Sequence, residues 1–385
     1  MLLQAAKRLT SLDIHDIITA RNWTQKRSMM MNDKLIANGS AYITEKIAEA
    51  IQNETRNAVI SGKYIIDTAI RIPSNFTLIL ADCHLRLADG VYSNMFVNEH
   101  HDTALGKTTD GTDTNISIIG RGKAILDGGE YNGLSERNHM QDGLPPIWKN
   151  NLVLFTNVNG FTIKGISCRH QRWWALNFVY CANGYLGDID FCANDTAIDR
   201  EGNVYHGIKH SRYQEILVKN ADGIDLRQGC HHITIENITG FTEDDSIALT
   251  ALDWHLEKHF KVAGLPSDIC NITIKNIRTS AFCANVRLLN QGEIKLHDIF
   301  IDGVYDASKN SQHMEQGYAA VRVGDTNMYG PRHATSDETY NITIRNVYSR
   351  ARFAITLAGE MKNLVMYGIE CENGTKMLLD ERMKS

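Results

Sequence analysis

The sequence predicts an all-β chain wound as a parallel β-helix, with one helix near its N-terminus. Three observations predict it: a strand text that recurs along the chain, a second text interleaved with the first, and a near-constant spacing of coils. The first series reads Gly160-Phe-Thr-Ile-Lys-Gly-Ile166, His232-Ile-Thr-Ile-Glu-Asn-Ile238, Asn271-Ile-Thr-Ile-Lys-Asn-Ile277, Glu293-Ile-Lys-Leu-His-Asp-Ile299, Asn341-Ile-Thr-Ile-Arg-Asn-Val347 and Asn363-Leu-Val-Met-Tyr-Gly-Ile369. The second reads Leu152-Val-Leu-Phe155, Ala175-Leu-Asn-Phe178, Gly223-Ile-Asp-Leu226, Ser246-Ile-Ala-Leu249, Asn285-Val-Arg-Leu288, Ala320-Val-Arg-Val323 and Ala354-Ile-Thr-Leu357. Uninterrupted coils repeat at about 23 residues. Two or three short strands per turn, apolar inside and polar outside, stack on the next turn as a solenoid. A β-sandwich, the competing all-β architecture, rarely repeats one strand text at a fixed period.

Residues 1–40 show no such pattern and are expected to be an N-terminal extension, which leaves 41–385 as the β-helix domain. Thr44-Glu-Lys-Ile-Ala-Glu-Ala-Ile-Gln52 offers a capping residue, an early acid and apolar positions 47, 48 and 51, which predicts one amphipathic helix plugging the end of the solenoid. After Val59 short β-rich runs take over: Tyr64-Ile-Ile66, Phe76-Thr-Leu-Ile-Leu80, Ile116-Ser-Ile-Ile119 and Ala124-Ile-Leu126.

A formal charge of -5, with 43% hydrophobic and 22% charged residues, leaves no electrostatic footprint for nucleic acid or an acidic membrane and supplies an ordinary globular core. The eight cysteines form no CxxC and no metal-type cluster, so they read as reduced core residues, and neither metal nor cofactor is expected. The opening Met-Leu-Leu-Gln-Ala-Ala-Lys-Arg is too short an apolar run for a signal peptide and no later run reaches membrane-spanning length, so a cytoplasmic location is expected. Homo-oligomerisation is left open.

The chemistry concentrates in Asn220-Ala-Asp-Gly-Ile-Asp225 and in Glu243-Asp-Asp-Ser-Ile-Ala-Leu249. Setting Gly223-Ile-Asp-Leu226 over Ser246-Ile-Ala-Leu249 puts Asp222 against Asp245 with Asp244 alongside. Adjacent strands lie ~4.8 Å apart. Carboxylates that close cannot all ionise freely, so at least one should keep its proton near neutrality, as acid and base catalysis requires. Alternation along the second series turns Ile224, Leu226, Ile247, Leu249, Val286, Leu288, Val321 and Val323 inward. Asp225, Ala248, Arg287, Arg322 and Thr356 then point outward on successive coils, so the acidic cluster and two arginines share one face and could bind an anionic group. Insertions at 253–267, 306–317 and 325–339 leave the coils near this face and are expected to wall a cleft. Trp173-Trp174, a coil or two upstream, would give a flat surface for a sugar ring, against the plainer reading of coil-packing aromatics.

On these residues the sequence resembles the polygalacturonase family of glycoside hydrolases (family 28) and its relatives. Asn220-Ala-Asp-Gly-Ile-Asp225 is similar to the family's Asn-Thr-Asp-Gly-Ile-Asp motif, and Asp244-Asp-Ser-Ile-Ala248 to its Asp-Asp-Cys-Ile-Ala motif. Ile118-Ile-Gly-Arg-Gly-Lys-Ala-Ile-Leu-Asp-Gly128 resembles its early Gly-rich turn, and Trp174 falls where a coil tryptophan is common. The resemblance covers roughly residues 40–380. It implies a single-stranded right-handed parallel β-helix of the pectin-lyase-like kind and hydrolysis that inverts the anomeric centre, with carboxyl groups typically ~6.5–9.5 Å apart around a water. By carry-over Asp245 would be the general acid, with Asp222 and Asp244 holding the water as general base.

The departures bear on substrate. The family's Gly-His-Gly motif falls at Cys283-Ala-Asn285, so its histidine is Ala284 here, and its Arg-Ile-Lys motif is matched only by Arg322-Val-Gly324. The lysine that would meet a uronate carboxylate is lost, and Arg287, where the family typically has a small residue, is the candidate replacement. Residues 193–219, with Tyr205, His206, His210 and Arg212, enlarge the coil before Asp222. His206 and His210 are candidates for a missing substrate contact, against the plainer reading of solvated loop histidines. The expected function is therefore an inverting hydrolase, exo-acting on galacturonic-acid-containing or other galacto-configured oligosaccharides. A uronate lyase or epimerase using arginine and Ca²⁺, and a non-catalytic carbohydrate-binding β-helix, are the alternatives.

Overall fold

The computed structural model describes residues 35–89, 91–129, 147–171, 174–193, 196–198, 204–206, 222–308 and 316–382. Ile36 opens it by pairing with the first coil, its amide donating to Lys63 O and its carbonyl accepting from Ile65 N, both at 2.9 Å. Helix Gly39–Gln52 follows and closes the N-terminal end of the solenoid. It begins a turn earlier than the Thr44 start expected from sequence, after Asn38 in the left-handed region at φ 62. That extra turn is anchored by Ser40, whose Oγ accepts from Asp67 N at 3.0 Å and Thr68 N at 3.1 Å. The anchor turns Ile43, Ile47 and Ala50 into the core, whereas Ala48 and Ile51 face out, which corrects the face expected at 47, 48 and 51.

From Asn57 onward the described strands, apart from the antiparallel pair Thr196–Ile198 and Val204–His206, pair in parallel with the strand one coil away, the signature of a parallel β-helix; crossovers between parallel strands are right-handed in nearly all proteins. Long strands such as His231–Thr242, Ile269–Ala281, Leu296–Asp306 and Thr339–Ser349 bend round the molecule and stack in register. Short strands Ile224–Leu226, Ile247–Ala251, Ala284–Asn290, Ala319–Val323 and Phe353–Leu357 stack on another side. The bends explain the repeated text. His232, Asn271, Asp298, Asn341 and Asn363 all sit at φ near 55, a conformation asparagine and aspartate tolerate best among non-glycine residues. Their side chains ladder between coils, as from Asn363 Nδ2 to Asn341 Oδ1 and from Asn341 Nδ2 to Asp298 Oδ1, each 2.9 Å.

One member of the first series is misaligned in the sequence reading. Ile299, Ile301 and Val304 stack on Ile272, Ile274 and Ile277, so the repeat on that coil is Asp298-Ile-Phe-Ile-Asp-Gly-Val304. Glu293-Ile-Lys-Leu imitates the text one bend too early, and the bend residue is Asp298.

Inward side chains form continuous ladders. Leu176, Ile224, Ile247, Val286, Val321 and Ile355 stack in that order and all are buried, each worth about 1.5–3 kcal/mol relative to exposure. The ladder ends on Leu378, which is 44% exposed. On the same last coil Val365, Tyr367 and Met377 are exposed as well. No described element covers that end, in contrast to the helix-capped N-terminal end. All eight cysteines are free, and none is paired.

Candidate active site

Asp222 ends the approach to strand Ile224–Leu226, and Asp244-Asp245 ends the approach to strand Ile247–Ala251. Register pairs Ile224 with Ile247, Asp225 with Ala248 and Leu226 with Leu249, the stacking expected from the repeat. Glycine at 223 lets the two coils close, because a Cβ there would stand 2.4 Å from Ser246 O. Gly223 N donates to Asp245 O at 3.0 Å, and Asp245 N donates to Asp222 Oδ1 at 3.1 Å. The carboxyl groups of Asp222, Asp225, Asp244 and Asp245 are thereby brought into one electrostatic cluster. Burial, then its acidic neighbours, pushes the Asp222 carboxyl well above its ordinary range. Burial also pushes Asp225 up to about 7 against the pull of Arg227. It pushes Asp245 up to about 7 against the pull of Arg287. Like charges in a site of low polarity share protons rather than all ionise. Asp244 is the member with partial access to solvent.

The two arginines stand where the alternation puts them, Arg287 between Ala248 and Arg322 on the outward ladder and Arg322 below Thr356. Neither points freely into solvent. Arg287 Nη1 donates to Asp245 Oδ2 at 3.2 Å and its Nη2 donates to Asp325. Arg322 Nη2 donates to the other oxygen of Asp325 at 2.5 Å. Asp325 is buried and also accepts from Asn327 N at 2.9 Å, so one carboxylate holds both guanidinium groups. Tyr318 and Tyr329 cover them, with each ring centroid 5.1 Å from the guanidinium carbon of Arg322 and Arg287 respectively. The segment carrying Tyr329 is pinned by buried Gln291, which accepts from Tyr329 N and, at 2.8 Å, from Gly330 N.

Two expectations are corrected here. Asp225 is on the outward ladder, yet it is fully buried. Trp174 is only 4% exposed, and the Arg227 guanidinium lies 3.8 Å from its ring centroid, so it cannot serve as a sugar platform. The insertion after Asp253 packs over Trp174 and reaches Asp225 through Arg227. Its helix His255–His259 and the following residues pack Leu256, Phe260 and Val262 onto Leu154, Trp174, Val179 and Tyr180, a second apolar cluster outside the coil. Beneath it Arg227 donates to Asp225 Oδ1 at 3.0 Å and to Glu257 Oε1 at 2.9 Å, with all three side chains buried. That insertion seals the upstream side of the face rather than standing open as a cleft wall.

His206 lies at the end of a short strand, Val204–His206, that pairs antiparallel with Thr196–Ile198. His210, Arg212 and Trp173 lie outside the described residues. Sequence reasoning missed Asp325, Glu257, Arg227 and Tyr329. Asp325 had a signal, an acid three residues after an outward arginine at a strand end, but charge pairing across an insertion, as for Glu257, leaves none. Cys283 was also missed: ligand atoms of Asp244, Asp245 and Cys283 lie within 4.8 Å of one another. Such a set could accept a thiophilic cation, although burial pushes the Cys283 thiol well above its ordinary value and metal binding would need the thiolate. The group Glu99, His100 and Asp113 is structural, since buried Asp113 already accepts from Ser74, Asn98 and His100.

No curated protein matches the chain. Among solved structures it is similar to the tailspike protein of E. coli bacteriophage HK620 in complex with a pentasaccharide, at 15% identity and a TM-score of 0.50 over 89% of this chain and 61% of that one. This likeness speaks to the fold alone. It also matches an exopolygalacturonase from Thermotoga maritima at 13% identity and a TM-score of 0.45, over 84% of this chain and 81% of that one. A surface adhesin of Streptococcus pneumoniae, PfbA, matches at 11% identity and a TM-score of 0.42 over 89% of this chain and 93% of that one. The sequence profile of glycosyl hydrolases family 28 matches residues 65–264, a span that takes in Asp222, Asp225 and Asp244-Asp245 and more than half of the chain. The chain belongs to glycosyl hydrolases family 28.

Proposed function

We propose that the protein is an inverting O-glycoside hydrolase that releases terminal sugars from galacto-configured oligosaccharides. The observation that carries this reading is the meeting of Asp222 with Asp244-Asp245 across two coils, fixed by the Asp245 N to Asp222 Oδ1 bond of 3.1 Å. In the reaction a carboxylic acid gives its proton to the glycosidic oxygen as the bond from that oxygen to the anomeric carbon breaks. Water attacks the same carbon from the opposite face and gives its proton to a carboxylate. Asp245, whose carboxyl burial pushes up to about 7, supplies the proton, while Asp222 and Asp244 hold the water. Asp245 Oδ2 is committed to Arg287, which leaves Oδ1, without a hydrogen-bond partner among the described residues, as the oxygen that acts. Metal-free activity and a cytoplasmic location belong to the same reading.

The deciding experiment follows released sugar by proton NMR. Product appearing first as the opposite anomer from the substrate, and activity lost in Asp245→Asn with the circular dichroism spectrum unchanged, would support the proposal. Retained configuration would sink the inverting mechanism, and an unsaturated product absorbing in the ultraviolet would decide for the lyase.

A further inference from the structure

We infer that the active site selects an uncharged sugar and turns away a uronate. This rests on the hydrolase reading and names the substrate class of the same site. The first observation is a count of ionisable groups among the described residues. Six carboxyl groups (Asp222, Asp225, Asp244, Asp245, Glu257 and Asp325) surround three guanidinium groups (Arg227, Arg287 and Arg322).

The second is that each of those cations is already held. Arg227 is shared by Asp225 and Glu257, Arg287 by Asp245 and Asp325, and Arg322 is held by Asp325. A substrate carboxylate reaching any of them would have to share the guanidinium with an internal acid that already holds it, and would stand beside further carboxyl groups.

The third concerns position 324, two residues after Arg322. Gly324 has φ +74, and a Cβ there would stand 1.9 Å from Ala358 O. A neighbouring carbonyl fills the space that a lysine side chain would need to leave the coil. The missing cation is thus excluded by the backbone.

The fourth is what the cluster lacks. Among the described residues Asp244 Oδ1 is a buried oxygen with no hydrogen-bond donor. Sugar hydroxyl groups are donors, whereas a carboxylate brings only more acceptors. An uncharged ring answers that need, and like charges brought together across an interface are strongly disfavoured.

Galacturonide disaccharides and their methyl esters test this, because the two share every ring atom and differ only in charge; the matched neutral galactoside completes the set. We expect the ester and the galactoside to be cleaved by the full-length enzyme with kcat/KM about 100-fold above the free acid. An acid cleaved as well as its ester would overturn the inference and leave the hydrolase reading standing. Where nothing is cleaved, equilibrium binding of the same compounds to the unmodified protein separates the two claims. Binding of the ester or galactoside but not the acid supports the charge selection while the hydrolase reading fails. Binding of the acid, or of none of the three, overturns it. In Asp325→Asn the arginines lose their shared anion, so discrimination against the acid should narrow by about 10-fold; discrimination unchanged in a folded variant would also count against it.

Discussion

The backbone amide of Asp245 donates to the side chain of Asp222 across the step between two coils, at 3.1 Å. This one bond joins residues 23 apart in sequence and fixes the separation of groups that repel each other. It also implies that the site stores unfavourable charge, and that consequence can be measured.

Replacing either partner by asparagine should lower kcat by about 10³-fold, the usual worth of a general acid or base, and should raise thermal stability. In Asp222→Asn the side-chain amide carbonyl would still accept the proton of the Asp245 amide, while a carboxyl group whose ionisation burial and its acidic neighbours oppose is gone. Calorimetry alongside initial rates checks this; a fall in both activity and melting temperature would mark the pair as structural.

The pH dependence has a defined sign. Asp245 rises from an ordinary 3.8 to about 7 in the folded protein. Below the unfolded value both states hold the proton and nothing is lost. Between about 4 and about 7 the unfolded chain has released its proton while the folded one retains it, so stability falls as pH rises across that window. Urea midpoints of the parent and of Asp245→Asn should therefore diverge between pH 4 and pH 7, the variant gaining, and run parallel above. The parent's kcat should fall above about pH 7 as the donor loses its proton.

Arg227 holds two buried carboxylates, Asp225 and Glu257, and lies against Trp174. Arg227→Met should cost about 3–5 kcal/mol, because it strands both acids in the interior. The triple replacement of Asp225, Arg227 and Glu257 by apolar residues of similar volume should recover most of that loss. Denaturant unfolding measures both.

Tyr329 is 50% exposed beside Arg287, which makes it the candidate we propose for the platform role that Trp174 cannot fill. Tyr329→Ala should raise KM about 10-fold with kcat nearly unchanged, the mark of binding shared by ground and transition states. Trp174→Ala should instead cost about 3–5 kcal/mol of stability and leave KM of the folded fraction alone. Steady-state kinetics on the two variants separates the roles.

Much of this architecture is legible in the chain because a solenoid writes its geometry as period. The alternation Ile224, Asp225, Leu226 gives the facing of each side chain, and a spacing of about 23 gives the neighbour on the next coil. The approach of Asp222 to Asp245 follows from those two facts. Insertions obey no period, which is why the burial of Asp225 with Arg227 is invisible in the sequence, as is the pairing of Arg227 with Glu257 of the insertion. Arg287 reads as a free cation there because its captor, Asp325, lies past the end of a strand where alternation no longer assigns direction. The Glu293 repeat fails for a related reason: apolar text alone does not say where the backbone bends, and Asp298 does.

The stacking of the outward ladder sets which loss the site would feel first. Coils bind only their neighbours, so loosening passes from rung to rung. Thr356 lies one rung from Arg322, and Arg322 one rung from Arg287. Suppose strand Phe353–Leu357 lets go first and Arg322 and Arg287 follow. Asp245, next in line, would lose its counter-ion while the greater part of the stack still stood, so catalysis should fade at temperatures where most of the spectroscopic signal of the strands survives.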